Sequence, residues 1–328
     1  MLYNILSSKV SDNFIVLIAS VISFAATYGL LAFPFSFLPR DGGKYVTNSE
    51  GKKVAINASS SGKVTGAGLV FISIYFISSL LFLPISKEFI LYTVFGIFMM
   101  LTGYMDDVSK SPWGELVKGL LDLVVAILAA VTFLIFNGSE VYFFGHKYHM
   151  PVVVYGVLAV AMIWASINVT NCTDGIDGLC GSLSVVELIA LAILFNKHLG
   201  KYAGLSMILA FTLVAYLAYN WNPSTVLMGD AGSRTIGYTM ALLCMLSKHP
   251  FAFLLLSLVF IFDGGLGLLK LAVMRITKKP FLQKWMFPVH DELRKKRKIK
   301  IPVIVIFFVL LEIIFVIITG VIIHVFGG

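Results

Sequence analysis

Three short segments place acids at the ends of apolar runs: Gly103-Tyr104-Met105-Asp106-Asp107-Val108, Asn168-Val169-Thr170-Asn171-Cys172-Thr173-Asp174-Gly175-Ile176-Asp177-Gly178, and Leu227-Met228-Gly229-Asp230-Ala231-Gly232-Ser233. Carboxylates are costly beside hydrocarbon, so several of them at the mouths of separate apolar segments point to a held cation and an anionic substrate. Adjacent acids such as Asp106 and Asp107 in a partly dehydrated cleft push each other's pKa values apart, leaving one able to act as a base or to bind metal. Lys110, just beyond them, can hold a phosphate as a point charge, and Lys118 follows. For this turn alone, a solvated loop with ordinary charges is the plain alternative. In the second segment Asn168, Asn171, Asp174 and Asp177 recur every three residues, a spacing that puts all four on one face if the stretch is helical. A helix cap with an Asx turn would need only one such residue. Asp230, preceded by Asn220-Trp221-Asn222-Pro223 and flanked by glycines at a predicted helix start, suits anion and metal binding, although a lone G-D-x-G is equally an N-cap. His290, in Phe287-Pro288-Val289-His290-Asp291-Glu292-Leu293-Arg294, is either a structural histidine or, facing the acids, a substrate contact.

The elements that hold these turns are dictated by composition. Hydrophobic residues make up 59% of the 328-residue chain and charged ones 13%, with mean hydropathy +0.93, a balance that excludes a water-soluble domain. Apolar stretches long enough to cross the roughly 30 Å hydrocarbon layer as helix are predicted near 13–33, 67–84, 89–105, 118–136, 151–167, 181–196, 202–219, 235–248, 250–272 and 302–324. The Leu/Ile/Val/Phe runs lack the alternation of barrel strands, so the expected fold is an all-α polytopic bundle of ten helices in one domain, 1–328.

Basic residues set its orientation, because Lys and Arg near span ends stay in the cytoplasm. With ten spans, Lys9, Lys87, Lys147, Lys197, Lys201 and Lys248 fall on the side of the termini, and the other nineteen of the 25 Lys and Arg fall opposite. Both termini are therefore expected outside, with the three acidic turns and the basic 275–300 loop facing the cytoplasm. The first span is expected to be a retained anchor, since Met1 to Phe14 lacks the order of a cleaved signal. Cys172, Cys180 and Cys244 have no C-x-x-C spacing, which argues against disulfides and zinc. The sequence pI near 9.3 reflects topology and anionic lipid rather than nucleic acid. Within the spans, Asp122 is expected to pair locally with Lys118, the glycines after Asp263 to bend the ninth span, and Glu187 and Glu312 to make interhelical hydrogen bonds or mark an ion path.

The blocks Gly103 to Lys110, Asn168 to Leu179 and Asn220 to Gly237 resemble, in order and position, the polyprenyl-phosphate N-acetylhexosamine-1-phosphate transferases. The segments Met286 to His290 and Gly62-Lys63-Val64-Thr65-Gly66-Ala67-Gly68 look more like the muramoyl-pentapeptide branch than the GlcNAc-phosphate branch. The resemblance implies a bacterial inner-membrane enzyme with a cytoplasmic Mg2+ site, undecaprenyl phosphate as acceptor, UDP-MurNAc-pentapeptide as donor, and a homodimer. Carried over by position, Asp106 and Asp107 match the acidic pair serving the carrier phosphate, Asp230 the magnesium ligand, Asn171 and Asp174 the nucleotide-sugar pocket, and Lys63 and Asn220 the uridine end. Asn171 joins Asp230 as a candidate metal ligand, and Asn168 and Asp177 complete the expected substrate surface. Two departures stand out: His290-Asp291-Glu292 replaces a run of three histidines, and Leu227 stands where an aromatic residue is usual.

The implied reaction is displacement at phosphorus, with a lipid phosphate oxygen attacking the β-phosphorus of the UDP-sugar and UMP leaving; a two-step route through an attacking carboxylate is a further option. A GlcNAc-1-phosphate transferase is the near alternative. A CDP-alcohol phosphotransferase would need an Ala-Arg after its first D-G, which is missing here. A cation transporter would gather its acids near the midplane rather than at span ends.

Overall fold

The computed structural model describes all residues except 1, 34–35, 42–44, 48–52, 56–61, 110–112, 144, 280–281, 283 and 327–328. Its main helices are α1 (Asp12–Leu31), α2 (Gly68–Phe82), α3 (Lys87–Asp107), α4 (Glu115–Asn137), α5 (Val152–Thr173), α6 (Leu179–Leu194), α7 (Ala203–Asn220), α8 (Gly229–Leu246), α9 in two halves (Pro250–Leu256 and Leu258–Thr277) and α10 (Ile301–Phe326). Two antiparallel hairpins, β1 (Tyr45–Thr47) with β2 (Lys53–Ala55) and β3 (Glu140–Phe143) with β4 (His146–His149), lie in the connections after α1 and α4.

The chain is a multi-pass membrane protein. Among the described residues α1, α3, α4, α5, α10 and α7 with its leading turn are each long and apolar enough to span a bilayer, and the halves of α9 qualify together across a 62° bend. The bend falls at Ser257, ahead of the glycines expected to cause it; of these, Gly264 and Gly265 lie in a wide π-type turn, Ile261–Gly265, and Gly267 in the helix beyond. α2 and α6 are shorter apolar helices. Ser257 donates a 2.8 Å hydrogen bond to Glu187 on α6, so that acid does make an interhelical contact, whereas neither carboxyl oxygen of Glu312 has a hydrogen-bond partner among the described residues.

α8 is different in kind: every side chain from Ala231 to Leu246 is buried, so it is covered on all faces by protein, packing mainly on α3 and α5 and also on α2. A helix that never meets lipid is free to carry Ser233, Arg234, Thr235 and Thr239, which is why its hydropathy is modest. Its contacts are close. A Cβ added at Gly103 on α3 would stand 2.5 Å from the backbone nitrogen of Ala231 and 2.6 Å from the carbonyl carbon of Asp230. Gly103→Ala is therefore expected to wedge α3 from α8 and destabilise the protein by about 1–3 kcal/mol. Thermal unfolding in detergent would measure this, and an unchanged melting temperature would show that the contact relaxes.

Candidate active site

The Gly103 contact brings the end of α3 against the start of α8. Asp107 accepts hydrogen bonds from the backbone N–H groups of Asp230 (3.2 Å) and Ala231 (3.5 Å), a carboxylate cap on the positive end of α8. Lys118, in the first turns of α4, reaches between the two acidic turns. Its Nζ lies 2.8 Å from Asp230 Oδ2 and also pairs with Asp106 Oδ2. Asp106 takes a further 2.6 Å bond from the Trp113 N–H. Asp106 is 6% exposed, against 17% for Asp230 and 25% for Lys118, so Asp230 and the ammonium are the groups a ligand meets.

The second acidic turn departs from its expected shape. α5 ends at Thr173, and Asp174, with ψ near 49°, leaves the helix. The four polar side chains therefore do not share one face, because the helical repeat stops after Asn168 and Asn171. Beyond the end of α5, Asp177 turns to a different set of partners: Lys63 Nζ at 3.0 Å, the Ser224 N–H at 3.0 Å, the Ser224 hydroxyl at 2.8 Å and the Asn222 amide at 3.0 Å. Burial pushes the Asp177 carboxyl up, but these bonds outweigh it and hold the group below the ordinary carboxylate range. Lys63 also donates to the Ser224 hydroxyl at 2.8 Å. Among the described residues Asp174 has no such partners; loss of solvent, then the charges of Asp230, Asp107 and Asp177, push its carboxyl up to about 8. That shift places Asp174 electrostatically within the Asp107–Asp230 group.

Asn220 is engaged by backbone on both sides, accepting from the Gly178 N–H at 2.9 Å and donating to the Val226 carbonyl at 2.8 Å. It ties the turn after α5 to the loop that leads into α8. The Asn171 side chain makes no hydrogen bond among the described residues. Asn168 donates to the Trp164 carbonyl at 2.8 Å and lies 3.5 Å from Asp122.

His290 is brought to the same turn, but as a buried side chain, 1% exposed. Its Nδ1 is 2.7 Å from Asp263 Oδ2 and its backbone N–H donates to Asp263 Oδ1 at 2.8 Å. Its ring lies so near Gly175 that a Cβ there would overlap the imidazole. The neighbouring Asp291 binds Arg294 and Lys295, each at 2.7 Å. Lys110 lies outside the described residues. The expected Lys118–Asp122 pair does not form: Lys118 turns to Asp106 and Asp230, while Asp122 pairs with Arg234, because each finds an opposite charge on α8. Ser224, Asn222, Asp263 and Arg234 carried no spacing signal that marks them as parts of the site.

The donors gathered here are hard oxygens, the chemistry preferred by magnesium or calcium over zinc. Among the described residues no three acids, histidines or cysteines stand close enough together to enclose an ion. Mg2+ characteristically takes one or two protein carboxylates and completes its shell with water and substrate phosphate. An apolar cavity of about 630 Å3 opens between α5 and α9, with Leu158, Met162, Val169, Ile261, Leu266 and Leu269 in its walls. Val169 adjoins Asn168, and Leu266 follows the turn that carries Asp263, so the cavity's wall runs up to the polar site.

Residues 89–248 match the family model described as Glycosyl transferase family 4. The chain is 36% identical over 304 residues to a phospho-N-acetylmuramoyl-pentapeptide-transferase of Treponema pallidum, covering 85% of this chain and 81% of the relative. Proteins of the same name from Streptococcus suis (28% identity, 79% of this chain, 83% of the relative) and Staphylococcus haemolyticus (29%, 70% and 76%) are also similar.

Proposed function

We propose a working arrangement for the site from one premise: this chain belongs to the phospho-N-acetylmuramoyl-pentapeptide-transferase family. It is a phosphoglycosyl transferase that moves phospho-MurNAc-pentapeptide from UDP-MurNAc-pentapeptide to a polyprenyl phosphate, giving lipid I and UMP in peptidoglycan synthesis. The acceptor is read as undecaprenyl phosphate. The α1 to α10 segments are read as ten spans with both termini outside, which sets the site on the cytoplasmic face of the bacterial inner membrane, in an enzyme working as a homodimer.

One observation carries the site assignment: Lys118 is held by Asp106 and Asp230 at the point where α3, α4 and α8 meet. Donor and acceptor are both anions and repel each other, so the site must supply positive charge where they meet. Lys118 supplies it by exchanging Asp230 for a phosphate oxygen. Asp230, with Asn171, is the candidate holder of Mg2+, which would offset charge on the diphosphate and on departing UMP. Asp106 or Asp107 keeps the acceptor phosphate deprotonated. Asp177, Lys63, Asn222 and Ser224 form a second polar cluster for the nucleotide end. His290 acts through Gly175, fixing the turn that bears Asp174. The prenyl chain lies in the cavity between α5 and α9, which sets a membrane-bound acceptor beside a soluble donor; placement of this kind reaches effective molarities of ~10⁵ M or more.

The test is UMP release from purified protein with Mg2+, undecaprenyl phosphate and each UDP-sugar. UDP-MurNAc-pentapeptide is expected to release UMP and UDP-GlcNAc to leave the carrier unmodified; equal use of UDP-GlcNAc would favour the GlcNAc-1-phosphate branch. Asp174 carries its proton below about pH 8, and a bound cation favours the deprotonated form. The Mg2+ concentration for half-maximal UMP release should therefore fall as pH rises from ~6.5 to ~8.5. A requirement independent of pH would remove Asp174 from the ion's surroundings.

A further inference from the structure

One turn beneath Lys118 and Asp230 lies a second ion pair that the transfer chemistry does not use. Arg234 on α8 donates to Asp122 on α4 through Nε at 3.1 Å and Nη2 at 2.5 Å, and the two residues are 1% and 2% exposed. Lys118 and Asp122 are four apart on α4, and Asp230 and Arg234 are four apart on α8, so each helix presents one charge of each sign on the same stripe. The result is a ladder of two rungs with opposite polarity: Lys118 to Asp230 at the mouth, Asp122 to Arg234 below. If either helix slipped by one turn, Lys118 would face Arg234 or Asp122 would face Asp230. Like charges facing each other at low dielectric are strongly unfavourable. α5 is tied to the same place, since the Trp164 indole donates to the Gly119 carbonyl at 2.9 Å and Asn168 lies against Asp122.

We propose that the Asp122–Arg234 pair is a positioning element for the transfer: it keeps α4 and α8 in register, so that Lys118 leaves Asp230 for a substrate phosphate and returns without the helices shifting. The inference rests on Lys118 and Asp230 being site residues. Arg234 and Asp122 act through them and touch no substrate. An apolar pair of similar volume is the informative replacement, because it removes the ladder without stranding a buried charge.

The Asp122→Leu/Arg234→Met double variant is expected to unfold at a temperature no lower than the parent's. Its kcat should fall about 10- to 100-fold, the scale of a small misplacement of reacting groups, while KM for donor and acceptor stays within about threefold, since neither residue contacts either one. A folded double variant with parent-like kcat would overturn the proposal. If that variant does not fold, single changes decide: Arg234→Lys, which keeps the charge, should lose several-fold less kcat than Arg234→Gln, and equal losses would overturn it. Asp230→Asn in the same assay separates the two claims. Its activity would sink the site assignment, whereas an inactive Asp230→Asn beside an unimpaired double variant would sink the register role alone.

Discussion

Asp230→Asn is expected to lower turnover by about 10³-fold or more while the protein stays folded, the scale seen when a preorganised charge contact to the transition state is lost. The side chains have the same shape, and the first turn of α8 is capped by Asp107 through backbone N–H groups that the substitution leaves alone. Lys118 keeps Asp106 as a partner, so no buried cation is stranded. What disappears is one negative charge at the open side of the cluster, where a cation would sit. Initial rates of UMP release across a Mg2+ titration, with a melting curve for the same preparation, measure both parts. Turnover within about tenfold of the parent would put the ion elsewhere.

The second large effect is expected from Lys118→Met. This ammonium is the cation that bridges Asp106 and Asp230; without it the two phosphates approach against uncompensated carboxylates. A loss of about 10²- to 10³-fold in kcat/KM is expected, with a cost in stability as well, because Asp106 is buried and among the described residues would retain the Trp113 N–H alone. A buried carboxylate stripped of its partner takes up a proton or destabilises the fold. Lys118→Arg is the control for charge alone. If Lys118→Met kept kcat/KM within about fivefold, the ammonium would be a structural partner of Asp106 and nothing more.

Much of this arrangement is legible in the chain because lipid imposes a simple code. Apolar runs mark helices, acids that interrupt them mark a purpose, and Asp107 and Asp230 do meet, 123 positions apart, through a 3.2 Å hydrogen bond from the Asp230 N–H. The code fails where a segment is hidden from lipid. α8 begins at Gly229, six residues before the span expected at 235–248, because a fully enclosed helix has no need of an apolar exterior. Spacing fails where a helix stops: the three-residue repeat from Asn168 to Asp177 counts as one face only while α5 continues, and it ends at Thr173. Local pairing also misleads, since Lys118 and Asp122 each found a stronger partner across space than along the helix. Nothing in the residues predicts that Lys63 and Asp177, 114 apart, close on Ser224, or that Asp263 would hold His290. Contacts of that kind follow from the packing of the loops and have no periodicity to reveal them.

The bend in α9 has a mechanical result. Its final stretch, Leu266–Thr277, has no buried side chain among the described residues, with Leu269 at 50% and Ile276 at 82% exposure. If the cavity between α5 and α9 holds the prenyl chain as proposed, one of its walls is steadied by surrounding acyl chains more than by protein, and its grip on the carrier would follow the lateral pressure of whatever amphiphile replaces the native leaflet. Purified in a loose short-chain micelle, such an enzyme would keep an intact catalytic centre yet hold its lipid partner poorly.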